Sequence, residues 1–208
     1  MTACVRCSIG VIAALALALA LAACGGGATA DPSGGGGAPQ QIVGATELLP
    51  FDPATFPAGD GPVVGGVCAA SALVPGAYRC ELDGGGADEP CFALSSARLV
   101  CGPNPVAGNY RTLVSPSAAL PPVVPPPPEE RLEFFVELRG GRTCAIRTGP
   151  EPVIAGGAAA TFDCDAPYTY LTTVDKSGPT WRAMLATLDP ATGAASATLT
   201  DVARAWVP

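Results

Sequence analysis

The hydrophobic pattern changes character three times along the chain. Residues 9–23 run without a single charged or polar side chain, 15 positions in all. From 25 to about 62 no apolar period holds, and Gly and Pro recur, as in Gly34-Gly35-Gly36-Gly37, Asp52-Pro53 and Phe56-Pro57. Beyond that point, short runs of strand length alternate with turn residues. The clearest lie in the last third. Residues 132–139 meet 142–147 across Gly140-Gly141, which predicts a hairpin with a two-residue type I′ or II′ turn. Further strands are predicted at 159–164, 168–174, 181–188 and from about 197 to 206. Lys176-Ser177-Gly178 and Asp189-Pro190-Ala191-Thr192-Gly193 supply the turns between the last three. Six strands with short connections predict an antiparallel meander.

The region before it reads as shorter strands at 77–82, 91–94, 98–101 and 110–114. Between the two lies a stretch, 120–128, with six Pro in nine residues, which favours an extended polyproline rod. Neither half is large enough for a comfortable core alone, so the rod is expected to be a crossover within one domain. The fold class expected is therefore all-β: an antiparallel meander, small sandwich or barrel. The boundaries expected are 1–23 for an export signal, 24–62 for a disordered Gly/Pro-rich tether that Leu48-Leu49 or Ile42-Val43 can dock, and 63–208 for the body. The body divides into a Cys-rich half (63–119), the Pro-rich crossover (120–128) and the meander half (129–208).

Cysteine usage sharpens this. Cys68, Cys80, Cys91, Cys101, Cys144 and Cys164 remain in the exported body, an even number that implies a disulfide framework with fifteen possible pairings. The simplest partition keeps bridges within halves. It pairs Cys144 with Cys164, and Cys68–Cys80 with Cys91–Cys101 is the expectation for the rest. A Cys₄ zinc site is the competing reading, but its C-x₂₋₄-C spacing is missing from the body. The one C-x-x-C, Cys4 to Cys7, lies inside the export signal.

The apolar run at 9–23 is too short to cross a membrane comfortably as a helix. It suits the core of a cleavable signal. Its end, Leu21-Ala22-Ala23-Cys24 followed by three Gly, resembles a bacterial lipobox. The resemblance implies diacylglyceryl transfer to the Cys24 thiol, cleavage before it and acylation of the new amino group. Two acyl chains hold a protein on a membrane where one does so only marginally. Several fragments of the body are also similar to a recurrent, uncharacterised type of bacterial secreted or lipoprotein domain, spanning about 68–207. They are Tyr78-Arg79-Cys80, Glu89-Pro90-Cys91-Phe92, Leu99-Val100-Cys101-Gly102-Pro103-Asn104-Pro105, the turn between Leu138 and Cys144, Phe162-Asp163-Cys164, and Trp181-Arg182-Ala183. That likeness carries no activity and no catalytic residues.

Composition narrows the chemistry. Among 208 residues there are 26 Gly and 23 Pro, which argues against a helical bundle or a doubly wound α/β fold. There is no His, so Ser-His-Asp, Cys-His and His-ligated metal chemistry are excluded. The net charge is −7; without Arg6 of the leader, 10 basic residues face 18 acidic ones. Such a surface repels nucleic acid. No cofactor is expected. The partners expected are a membrane, through Cys24, and an unknown protein or glycan of the cell envelope.

Three groups could still carry chemistry. Asp83-Gly84-Gly85-Gly86-Ala87-Asp88-Glu89 is acidic enough to suggest Ca²⁺, but lacks the EF-hand alternation, and a solvated turn is the plainer reading. Asp163 and Asp165 flank Cys164 on the opposite face of a strand, a spacing open to acid–base work. Trp181 and Trp206 lie at strand ends that a hairpin can bring together, as a sugar- or peptide-binding platform or simply as core. The expectation is a non-enzymatic envelope module anchored at Cys24. The alternative is a carboxylate-dependent hydrolase of envelope polysaccharide using Asp163, Asp165 and Asp83.

Overall fold

The computed structural model describes residues 44–56, 63–149 and 158–208. The export signal, Cys24 and the Gly-rich stretch after it lie outside the described residues. The all-β expectation holds: the described residues form twelve strands and two single 3₁₀ turns. No helix among them is long and apolar enough to cross a membrane.

Five strands make a first ring. They are β2 (Val63–Ala70), β3 (Tyr78–Leu82), β4 (Ala87–Ser95), β5 (Arg98–Cys101) and β6 (Thr112–Pro116). Each pairs antiparallel with the next, and β6 returns parallel to β2 to close a barrel. An odd number of up-and-down strands requires one parallel seam. So small a ring has little room inside. Cys80, Cys91, Leu99, Cys101 and Val114 fill it, all inaccessible to solvent. Gly66 on β2 keeps the wall thin, because a Cβ there would sit 2.7 Å from the Glu81 carbonyl oxygen of β3.

The second ring holds the predicted meander. It contains β7 (Phe135–Leu138), β8 (Thr143–Ile146), β9 (Ala160–Cys164), β10 (Thr169–Thr172), β11 (Arg182–Leu188) and β12 (Ala195–Val207). β12 is long enough to serve both flanks. Its first half pairs with β11, its second half with β7, and the six strands close. Val136, Leu138, Cys144, Phe162, Leu171, Ala183 and Val202 pack inside.

All three disulfides follow the expected partition, and each joins residues that face one another across neighbouring strands: Cys68–Cys80, Cys91–Cys101 and Cys144–Cys164. Their Cα atoms are 4.1, 4.0 and 3.9 Å apart, the close spacing of directly opposed residues. Closing loops of this size contributes roughly 3 kcal/mol each in the chain-entropy view. Three structural bridges mark a chain that folds outside the reducing cytosol.

The two rings share a core of rings of another kind. Phe51 lies 4.6 Å from Phe92 and 5.1 Å from Phe134, and Phe92 lies 4.8 Å from Phe134. Phe135 meets Trp206 edge-on at 5.6 Å. Phe92 and Val100 come from the outer wall of the first barrel, Phe134, Phe135 and Trp206 from the second. The Pro-rich stretch lies along the first barrel, where Leu120 and Val123 pack on it and the Tyr78 hydroxyl donates to the Pro121 carbonyl at 3.1 Å.

The tether expectation is corrected at its end. Residues 44–56 are part of the body: β1 (Glu47–Pro50) runs parallel to the end of β12, and Phe51 and Phe56 are buried in the shared core. Leu48-Leu49 thus docks as a strand. In the first barrel the pattern missed β2 and the first four residues of β4, which starts at Ala87, and placed β6 two residues early.

Candidate functional site

The two tryptophans do not form a platform. Trp206 is buried in the core between the barrels, with Arg204 stacked on it at 5.4 Å. Trp181 packs toward the interior of the second barrel, with Lys176 over its ring at 5.0 Å. The cause is a register shift between Val202 and Arg204 that inserts one residue into β12. Val202, which bonds the Trp181 carbonyl, faces inward, and after the bulge Trp206 faces out. The expected Trp181–Trp206 surface is therefore replaced by two separate packing roles.

Asp163 and Asp165 are each paired with an arginine, and Asp83 lies on the first barrel. Asp163 lies on the outer wall in an ion pair with Arg147, whose guanidinium stacks 5.2 Å from the Tyr170 ring. Asp165 accepts from Arg142 at 3.1 Å and from the Thr143 N–H at 3.0 Å. Asp83 sits in a turn of the first barrel, where its N–H donates to the Gly65 carbonyl. Asp163 and Asp165 line one open cleft of about 210 Å³ together with Asn104 and Thr143, whereas Asp83 is not among the residues lining it. The acidic loop is not a cation loop: Asp88 and Glu89 are buried on β4. Asp88 pairs with Arg111 at 2.9 Å, and Glu89 accepts from the Ser71 hydroxyl beside Arg79. Glu133, a buried acid the sequence did not single out, pairs with Lys176. Among the described residues all six cysteines are held in bridges, so none of them offers a free thiolate to a metal.

What the structure does assemble is a mouth. Three hairpin loops, at 139–142, 165–168 and 189–194, lie at the same end of the second barrel. Each contains a residue with positive φ near its end: Gly141 at 80°, Tyr168 at 53° and Gly193 at 69°. In the first, Gly141 N–H donates to the Leu138 carbonyl and Leu138 N–H to the Arg142 carbonyl, both at 2.8 Å. That is a three-residue loop with a left-handed Gly at its end, not the two-residue turn expected, because only the second Gly takes positive φ. In the third, Asp189 Oδ1 accepts the Ala191 N–H at 2.8 Å and the Thr192 N–H at 3.3 Å.

Tyr168 is the exception among these loops. The left-handed region costs an L-residue with a bulky side chain roughly 1–2 kcal/mol, and Gly meets it freely. Yet the middle loop keeps a tyrosine there, 53 % exposed. Its ring borders an open cleft of about 520 Å³ lined by Pro167, Thr187, Leu188, Asp189 and Pro190. A second cleft of about 460 Å³ opens at the same mouth beside Arg142, Asp165 and Leu138. One side of the mouth is thus aromatic and apolar and the other carries an exposed Arg–Asp pair.

Two predictions arise here. Tyr168→Gly is expected to raise stability by about 1 kcal/mol, read as a higher urea midpoint, because relief of the left-handed backbone outweighs the lost ring contacts and the added freedom of the unfolded chain. Asp189 gives a pH-dependent one. Its bonds to the Ala191 and Thr192 amides hold its carboxyl below the ordinary 3.8. A lowered folded-state pKa adds stability above the unfolded value and loses it as pH falls through the lowered one. Asp189→Ala is expected to lower the unfolding midpoint at neutral pH, and the gap to the parent should close in acid.

Comparison with known proteins identifies no relative: no protein-family model, no curated protein and no solved structure matches this chain.

Proposed function

We propose that this chain is a non-enzymatic binding module of a bacterial envelope, exported by residues 1–23, held on a membrane by lipidated Cys24, and contacting a glycan through the mouth of its second barrel. The observation that carries the binding reading is Tyr168, an exposed aromatic kept at positive φ where the neighbouring loops use Gly. Backbone strain retained at an exposed residue points to use rather than to packing. An aromatic face suits the apolar face of a sugar ring, and the Arg142–Asp165 pair beside it suits hydroxyl groups. Export is supported by three disulfides, and anchoring by the sequence Leu21-Ala22-Ala23-Cys24.

Two measurements test this. Intact mass of the protein purified from membranes is expected to show loss of residues 1–23, added diacylglycerol and acyl mass, and no free thiol. A mass matching the uncleaved chain would remove the anchor. In cosedimentation with purified cell-wall polysaccharide, the parent protein is expected to pellet and Tyr168→Ala to pellet several-fold less. If both stay in the supernatant, the glycan reading fails.

A further inference from the structure

In the first barrel, two disulfides lie against each other. The Sγ atoms of Cys80, Cys91 and Cys101 are all within 4.8 Å of one another, although Cys80 belongs to one bridge and the other two form the second. Cys80, Cys91 and Cys101 are fully buried, whereas Cys68, the remaining member, is only half-buried. The third bridge, Cys144–Cys164, is also half-buried at one end, but it lies in the other barrel with no second bridge beside it.

We propose that Cys68 is a thiol-exchange site through which a small external thiol moves the bridges of the first barrel. The chemistry follows from access and proximity. A thiolate attacks the accessible sulfur of a disulfide and expels the other as a thiolate. Attack at Cys68 forms a mixed disulfide there, breaks the Cys68–Cys80 bond and leaves the electron pair on Cys80. That buried thiolate has no solvent to stabilise it and another disulfide within reach. It attacks Cys91, the Cys80–Cys91 bond forms between the adjacent strands β3 and β4, the Cys91–Cys101 bond breaks, and Cys101 leaves as the thiolate and takes up a proton. The exchange is redox-neutral only as a whole: the external sulfur rises to the disulfide level in the mixed disulfide, and one barrel cysteine, Cys101, is reduced to the thiol. One external thiol is consumed and one thiol is released, now at a different cysteine. The second barrel lacks this step: attack at Cys164 leaves Cys144 as the free thiol. The site is independent of the glycan reading.

The test uses the full chain, with glutathione added under native conditions. Limiting reduced glutathione is added to the native protein, exchange is stopped with acid, the chain is unfolded in denaturant at mildly acid pH, its free thiols are alkylated there with N-ethylmaleimide, and the six cysteines are assigned by peptide mass. The expected result is glutathione on Cys68 with alkylation at Cys101, or at Cys91 if attack falls on the other sulfur, several-fold above alkylation at Cys80. In the same sample the second barrel should show alkylation at Cys144, which calibrates simple reduction. Alkylation concentrated at Cys80 would overturn the proposal, since the bridge would then have opened without moving. Protection of Cys68 from glutathione until the chain unfolds would overturn it as well. In Cys91→Ser/Cys101→Ser protein that remains folded, the acceptor bridge is gone and the alkyl group should move back to Cys80.

Discussion

Phe134→Ala is expected to destabilise the protein by about 3–5 kcal/mol, the cost of truncating a fully buried Phe. Phe134 is 1 % exposed and stands just before β7, with the Phe51 and Phe92 rings 5.1 and 4.8 Å away. Those partners come from different parts of the chain: Phe51 from the N-terminal arm and Phe92 from the first barrel. The cavity left behind therefore has walls in three separately built pieces, none of which can collapse into it without dragging a strand. At an ordinary dependence on urea of about 2 kcal/mol per molar, the midpoint should fall by roughly 2 M. A loss under 1 kcal/mol would mean the barrels are coupled elsewhere. Phe134→Leu, which keeps most of the volume, is expected to recover much of the loss.

The second large effect is expected from Cys91→Ser/Cys101→Ser. Removing a native bridge from a small exported domain costs roughly 2–5 kcal/mol. Here the cost should lie toward the upper end, because both positions are fully buried and, although the Asp88 carbonyl lies 3.3 Å from Cys91 Sγ, the ring around Cys101 is lined mainly by sulfur and apolar groups. Cys91→Ala/Cys101→Ala removes the same covalent link without burying hydroxyls. It should be the more stable of the two variants, and the urea midpoints of the pair separate the cross-link from the polarity. Equal midpoints would show that the hydroxyls are satisfied.

The sequence was most legible where local pattern and tertiary role agree. The strands of the second barrel carry Val, Ile, Thr, Tyr and Phe between turns rich in Gly, Pro and Asp, so β7 to β12 could be placed within a few residues. The bridges were legible for the same reason: neighbours in a meander are neighbours in sequence, and pairing the nearest cysteines within each half gives the cross-strand pairs. What escaped depends on partners far along the chain. Strand β1 is four residues long in a Gly/Pro-rich stretch, and only its pairing with β12 makes it a strand. β2 contains Gly65 and Gly66 and shows Val67 to solvent, so its alternation is inverted relative to an ordinary half-buried strand. Trp181 and Trp206 sit at the expected strand ends, but one extra residue in β12 sends them to opposite sides of the sheet. Asp88 and Glu89 looked like loop acids because Arg79, Arg111 and Ser71, which accommodate them, lie elsewhere in the sequence. The mouth at Tyr168 has a similar explanation. A tyrosine beside a proline reads as strand, and its positive φ emerges only once three loops are compared at one end of the barrel.

The direction of β1 has a mechanical corollary. Gly44 and Thr46 are gripped at the strand's entrance: the Gly44 carbonyl accepts from Arg139 and Thr180, while Thr46 donates to the Val202 carbonyl at 2.7 Å and accepts from the Trp181 N–H at 2.8 Å. Past them, four residues lie alongside β12 with their hydrogen bonds across the strand axis. Tension applied from the N-terminal side along that axis pulls every one of these bonds sideways together, instead of unzipping them in turn. A body tugged from that end should hold until the whole arm slips at once, with Phe51 and Phe56 as the plug that must be drawn out behind it.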